Sequence, residues 1–141
     1  MKVLACLACD DFRTEAGGKA TIVGFAGALP FVSYKVKQLG VPIPQLVFVF
    51  LMEPGVQCGH VHFEHYAPSG AMMFKSPKYP WPRLPDRCPI HLPFRIVNFK
   101  PTEFGAHRIG VALDDGRSSE HKFQIQPFLP PVAPPKFGLL N

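Results

Sequence analysis

Proline is the residue that most restricts the folds open to this chain. It occupies 17 of 141 positions, which is more than twice its average usage of about 5%. Because proline lacks an amide hydrogen and clashes with the preceding helical turn, this density argues against a helical protein. No helical period is sustained, and short apolar runs separated by turn residues recur instead. The sequence therefore predicts an all-β fold.

The strand-like runs are spaced closely enough to predict their arrangement. About eight short antiparallel strands with turns between them are typical of an immunoglobulin-like β-sandwich, in which each sheet buries one face against the other. A closed barrel is the alternative. The predicted strands cover residues 2–9, 19–26, 43–53, 56–66, 71–74, 90–99, 106–113 and 120–126.

Turn residues predict which neighbouring strands pair. Pro54 and Gly55 suit a type II turn, since proline presets φ and glycine accepts a positive φ, so the third and fourth strands are predicted to form a hairpin. Asp115-Gly116 is a common hairpin signal and joins the last two strands.

The first two strands are apolar on both faces, which predicts central positions. The strand at 90–99 alternates apolar and polar residues, which predicts one buried face.

The chain is predicted to be one β-sandwich domain with two additions. A chain of 141 residues can bury roughly two thirds of the surface that it exposes when unfolded. We place the sandwich at residues 1–126, with a long proline-rich loop at 75–89. Residues 127–141 hold five prolines and are predicted to form an extended C-terminal arm.

The N-terminal apolar run predicts a strand and no export signal. It spans only Val3 to Cys9 before two aspartates, and no cleavage site of small residues follows it. No apolar run approaches the roughly 20 residues of a membrane helix, so we expect no membrane partner. The predicted location is the cytoplasm, or a virion if the chain is phage-encoded. There the four cysteines would stay reduced.

Positive charge is concentrated in one stretch of the chain. The stretch from Lys75 to Lys100 carries six Lys or Arg residues and a single acid, Asp86. The net charge of this stretch therefore equals the net charge of the whole protein, +5. Six prolines and the single tryptophan lie in the same stretch. This combination predicts that the loop is a contact surface. The apolar residues of the arm are predicted to form a second contact. The predicted partner-binding residues are Lys78, Tyr79, Trp81, Arg83, Arg87, Phe128, Leu129 and Phe137.

Two kinds of partner fit this surface. Semi-rigid prolines around Trp81 favour an aromatic anchor pressed into a pocket of a partner protein or of another copy of the chain. The alternative is nucleic acid, with the basic side chains on phosphates and the aromatic rings stacked on bases. We favour protein contact, because a basic face is often merely solvated.

A second motif has the residue types of a metal site. On a strand, Cys58, His60, His62 and Glu64 share one face, and a His-x-His pair can bind Zn²⁺ or Fe²⁺ if a neighbouring strand adds a ligand. The competing interpretation is that Val61 and Phe63 face the core while the polar residues face water. We favour the second interpretation and predict no cofactor.

Several short motifs together resemble a family of small bacterial and phage proteins. That family is described only as a domain of unknown function with a predicted β-sandwich. The motifs are the Cys-Asp pair at Cys9, the Gly18-Lys19 turn, Thr21–Gly27, Phe48–Met52 and Pro101–Gly116. One departure is His107, two positions after Gly105, where the family usually has an aromatic residue, often Tyr. The resemblance implies the fold and carries over no activity or ligand residue.

No motif in the sequence predicts catalysis. The serines lack a nucleophile elbow, no glycine-rich loop joins a strand to a helix, and the paired aspartates lie at turns. The predicted function is therefore that of a non-enzymatic interaction module, most specifically a subunit of a larger assembly such as a virion capsid or tail decoration protein. A nucleic-acid-binding accessory protein is the first alternative. A metal-binding protein or metalloenzyme built on Cys58, His60 and His62 is the second.

Overall fold

The computed structural model describes residues 1–16, 19–83 and 87–129. Within these ranges the chain forms twelve β-strands and no α-helix, so the all-β prediction is confirmed. The strands pair antiparallel except for one parallel pair, β5 with β12. They are β1 Val3–Cys9, β2 Asp11–Thr14, β3 Ala20–Val23, β4 Gly27–Ala28, β5 Ser33–Val36, β6 Ile43–Met52, β7 His60–Tyr66, β8 Met72–Lys75, β9 Tyr79–Pro80, β10 Ile90–Phe99, β11 Gly105–Leu113 and β12 Ser118–Pro127.

The strands form two larger sheets and one small ribbon. The four-stranded sheet has the order β10-β6-β1-β4, and the six-stranded sheet has the order β5-β12-β11-β7-β8, with β9 also paired to β7. The ribbon is β2 with β3. The count of about eight strands was too low for the described residues, because β2, β4, β5 and β9 have only two to four residues each. Such short strands carry no readable alternation.

Aromatic side chains from both sheets meet in one core. Phe48 and Phe50 come from the four-stranded sheet, and Phe63 and Phe123 come from the six-stranded sheet. The ring centroids of Phe48 and Phe123 are 5.0 Å apart, and those of Phe50 and Phe63 are 5.6 Å apart. The two sheets therefore share one core, and burial of these rings contributes to its stability.

The ribbon covers part of the outer face of the four-stranded sheet. Phe12 of β2 is buried there with Cys9, Val47 and Val49. The first strand was correctly predicted as central, since β1 lies between β6 and β4. The same prediction was wrong for the second strand: only 20–23 are strand, and both Ile22 and Val23 are exposed. The strand β3 belongs to the two-stranded ribbon and not to either of the larger sheets, so its apolar residues are not enclosed on both faces.

One predicted hairpin is confirmed and the other is wrong. β11 and β12 pair along their length, and the Gly116 amide donates to the Leu113 carbonyl at 3.1 Å. The third and fourth predicted strands, β6 and β7, lie in different sheets. Gly55 has the expected positive φ of 84°, but residues 56–59 separate its turn from β7, and this length lets the chain cross from one sheet to the other.

The described residues include no helix with the length and hydropathy of a membrane-spanning segment.

Candidate functional site

The first half of the proline-rich loop is fastened to the edge of the six-stranded sheet. Tyr79 of β9 pairs with Val61 of β7. Just before it, Ser76 is buried, its amide donates to the Phe63 carbonyl at 2.9 Å, and its hydroxyl accepts the Phe63 amide at 2.8 Å. These bonds fix residues 76–80 where the sequence predicted an irregular loop.

Trp81 is directed into the molecule. Its amide donates to the Gly59 carbonyl at 3.0 Å, and its indole Nε1 donates to the Val56 carbonyl at 2.9 Å. The ring is partly buried and packs against the shared core. A tryptophan buried in this way satisfies its N–H inside the protein, and the accessible part of the indole forms a wall of a cavity.

That cavity lies between the chain after β6 and the proline-rich loop. It has a volume of about 380 Å³ and includes Trp81, Arg83, Cys58 and Cys88 in its lining. Burial, with the nearby Asp114 and Asp115 carboxylates, raises the pKa of the Cys58 thiol. Cys58 is therefore a neutral thiol near pH 7.

Asp114 and Arg117 hold the 55–59 wall of the cavity in place. The two carboxylate oxygens of Asp114 accept the amides of Gly59 at 3.2 Å and His60 at 3.0 Å. Arg117 donates from its guanidinium to the Gln57 carbonyl at 2.8 Å. The β11–β12 turn therefore braces this wall.

Replacing Gly59 by alanine should disturb the wall at its closest contact. A β-carbon at Gly59 would lie 2.4 Å from Asp114 Oδ2, so the carboxylate must move and lose its hydrogen bonds. We expect the free energy of unfolding to fall by about 1–2 kcal/mol, measured by urea denaturation. Gly110→Ala is the matched control, because its β-carbon would meet nothing closer than 3.7 Å. Equal effects of the two substitutions would contradict this role of Gly59.

The proline-rich loop carries several exposed cations, of which Arg83 lines the cavity. Lys78, Arg83 and Arg87 are all exposed, and within the described part of the chain none of them forms an ion pair. Tyr79 of the same loop has 46% of its surface exposed. Ion pairs elsewhere join Arg13 and Arg95 to Asp11, Lys75 to Glu64, Arg108 to Glu120, and Arg117 to Asp115.

The beginning of the C-terminal arm is attached to β5. The strand β12 runs through Pro127, one residue further than predicted, and the Phe128 amide donates to the Val36 carbonyl at 2.7 Å. The side chains of Phe128 and Leu129 are 51% and 72% exposed. Phe137, the third predicted contact residue of the arm, lies outside the described residues.

The His-x-His motif places its polar side chains away from the core. Val61 and Phe63 are buried, as the competing interpretation predicts, whereas His62 Nε2 lies 3.0 Å from Glu64 Oε1. Hydrogen bonds from the Tyr66 hydroxyl, at 2.6 Å, and from His62 lower the pKa of Glu64. In the described ranges, no three His, Cys, Asp or Glu side chains are arranged to hold a metal ion.

A buried histidine pair was missed by our sequence interpretation. His65 and His107 are both fully buried, with Nε2 of His65 3.0 Å from Nδ1 of His107. Burial, and to a smaller extent His107, lowers the pKa of His65 to about 3, and burial also lowers that of His107. The signal was the strand alternation, since His65 follows Val61 and Phe63 on their inward face.

No family model matches this chain, and no curated protein matches it either. Its function must therefore be inferred from its own residues.

Proposed function

We propose that this chain is a non-enzymatic interaction module that builds a larger assembly, such as a virion capsid or tail, by binding a partner protein or further copies of itself. The observation that supports this function is the exposure of large apolar side chains at both predicted contact segments. Tyr79, Phe128 and Leu129 are 46%, 51% and 72% exposed. Covering such surface gains about 25 cal/mol per Å².

The loop has the organisation that a contact surface needs. β9 is held in place by its pairing with β7, so Tyr79 loses little conformational entropy when a partner covers it. Lys78, which precedes Tyr79, and Arg87 of the same loop are exposed and form no ion pairs among the described residues. Exposed cations near a contact surface favour a partner with an acidic surface.

Three further proposals follow from the sequence and agree with this function. We infer that the two facing sheets are a variant of the immunoglobulin-like sandwich, supported by their shared core. We also propose that the chain is related to the small bacterial and phage proteins whose motifs it shares, and that it is located in the cytoplasm or in a virion.

Self-association provides a direct test of the assembly function. We expect sedimentation velocity to show oligomers that dissociate when Tyr79, Phe128 and Leu129 are replaced together by serine. Phe31→Ser is the matched control, because Phe31 is 89% exposed but lies outside both contact segments. A chain that sediments as a monomer at every concentration would contradict assembly from copies of this chain.

Nucleic-acid binding is the alternative that the same cations support. Affinity for single-stranded DNA that falls steeply with added salt would replace the assembly proposal by this one. Loss of that affinity on replacing Lys78, Arg83 and Arg87 by glutamine would locate the binding surface. A salt-independent or absent interaction would leave protein contact as the proposal.

A further inference from the structure

The cavity beside Trp81 is already formed in the folded chain. Trp81 is held by hydrogen bonds to Gly59 and Val56, and the opposite part of the wall is braced by Asp114 and Arg117. Its volume of about 380 Å³ lies within the range of roughly 300–1,000 Å³ that is usual for small-molecule sites. A site whose walls make their own hydrogen bonds requires little rearrangement when a ligand enters.

The charges of the lining favour an anion. The described residues that line the cavity include Arg83 and no Asp or Glu, and Cys58 is a neutral thiol near pH 7. Arg83 is exposed and has no ion-pair partner in the described ranges. The Asp114 carboxylate lies behind the wall and accepts the amides of Gly59 and His60. A guanidinium without a partner at a cavity is suited to bind a carboxylate or a phosphate through paired N–H groups.

The apolar part of the lining favours a planar ring. The indole of Trp81 lies in the same wall as Pro80 and Pro82, and Ile90 closes the side toward the core. Aromatic faces and proline rings pack well against flat ligands, and a ring placed there would leave its charged group toward Arg83. We propose that this cavity binds a small planar aromatic anion, with Trp81 packing against the ring and Arg83 pairing with the charge.

Trp81 also reports on its own site. It is the only tryptophan in the chain, so its fluorescence, excited selectively, measures occupancy of this cavity. We expect benzoate to quench Trp81 saturably with a dissociation constant below about 10 mM. Arg83→Gln should weaken binding at least tenfold, because a charge-assisted pair is lost. Lys122→Gln is the matched control, since Lys122 does not line the cavity.

Related probes separate the contributions of charge and ring. Benzamide, which has the ring without the charge, and acetate, which has the charge without the ring, should each bind at least tenfold more weakly than benzoate. Adenosine 5′-monophosphate distinguishes a phosphorylated base from a carboxylate as the natural form of the ligand, according to which probe binds more tightly. The proposal is overturned if benzoate gives no saturable quenching up to about 10 mM, or if Arg83→Gln binds it as well as the unchanged protein.

Discussion

Replacing Phe123 by alanine should lower the free energy of unfolding by about 3–5 kcal/mol. The ring of Phe123 is fully buried, and its centroid lies 5.0 Å from that of Phe48 and 5.9 Å from that of Tyr34. It also contacts His65 and His107 at 5.7 Å and 5.4 Å. Alanine would leave a cavity where both sheets meet, and the side chains around it, which belong to β5, β6, β7 and β11, cannot fill it without moving the sheets.

Urea denaturation of the unchanged chain and the variant measures this loss. Phe31→Ala is the matched control: it removes the same atoms from a side chain that is 89% exposed, so a change within about 0.5 kcal/mol is expected. The dependence of the free energy on urea should stay the same, since the surface exposed on unfolding is nearly unchanged. If the two variants lost equal stability, Phe123 would not be the contact that joins the sheets.

The long strands could be predicted from the sequence because each has a buried face. In β10 the residues Ile90, Leu92, Phe94 and Ile96 are buried and His91 and Arg95 are not, as the alternation predicts. Which sheet a strand joins was harder to predict. β6 is apolar on both faces, which predicts a central strand with a neighbour on each side but does not say which strands those neighbours are. It pairs with β1 and β10, which are distant in sequence, and no local turn signal reveals this.

The sequence named several residues that line the cavity, but it did not predict that they meet. It named Trp81, Arg83 and Cys58, but it placed them in separate features, the loop and the histidine motif. The structure brings all three to one cavity. Their meeting depends on the pairing of β9 with β7, a bridge of two residues that carries no pattern of its own. The sequence predicted Trp81 as an anchor for a partner's pocket and gave no sign that the indole is partly buried, because the hydrogen bond that holds it goes to Val56, 25 residues away.

With both rings neutral, the hydrogen bonds of the buried histidine pair have a single arrangement. The Glu103 carbonyl can only accept, so His107 Nε2 donates to it at 2.8 Å. His107 Nδ1 must then accept from His65 Nε2, at 3.0 Å. Within the described residues, Nδ1 of His65 is left without a partner. Phe99 and Phe123 contact the pair with ring centroids 5.0 Å and 5.7 Å from His65, so a proton added to His65 Nδ1 would place a charge among aromatic rings with no acceptor within the described residues.

Acid should therefore destabilise the fold in the range where free histidine takes up a proton. The pKa of His65 is about 3 in the folded chain, against about 6.5 when unfolded. Above pH 6.5 neither state binds the proton and the stability is complete. As the pH falls below 6.5, the unfolded chain binds a proton that the folded chain refuses, and stability is lost until the pH approaches 3. Between pH 7.5 and 5.0 we expect His65 alone to cost about 2 kcal/mol.

A double substitution separates this effect from other titrations. His65→Leu with His107→Phe removes both imidazole groups together, so neither is left with a buried unpaired nitrogen. Unfolding by urea at pH 7.5 and 5.0 should show a loss of about 2 kcal/mol or more in the unchanged chain and a clearly smaller loss in the double variant. The carboxylates with lowered pKa values, Asp11, Glu64 and Asp115, act mainly below this window. Equal losses in both proteins would show that the pair is not what makes the fold sensitive to acid. At pH 7.5 the single variant His65→Leu should be less stable than the double variant, because the His107 ring would then remain buried with an unpaired Nδ1.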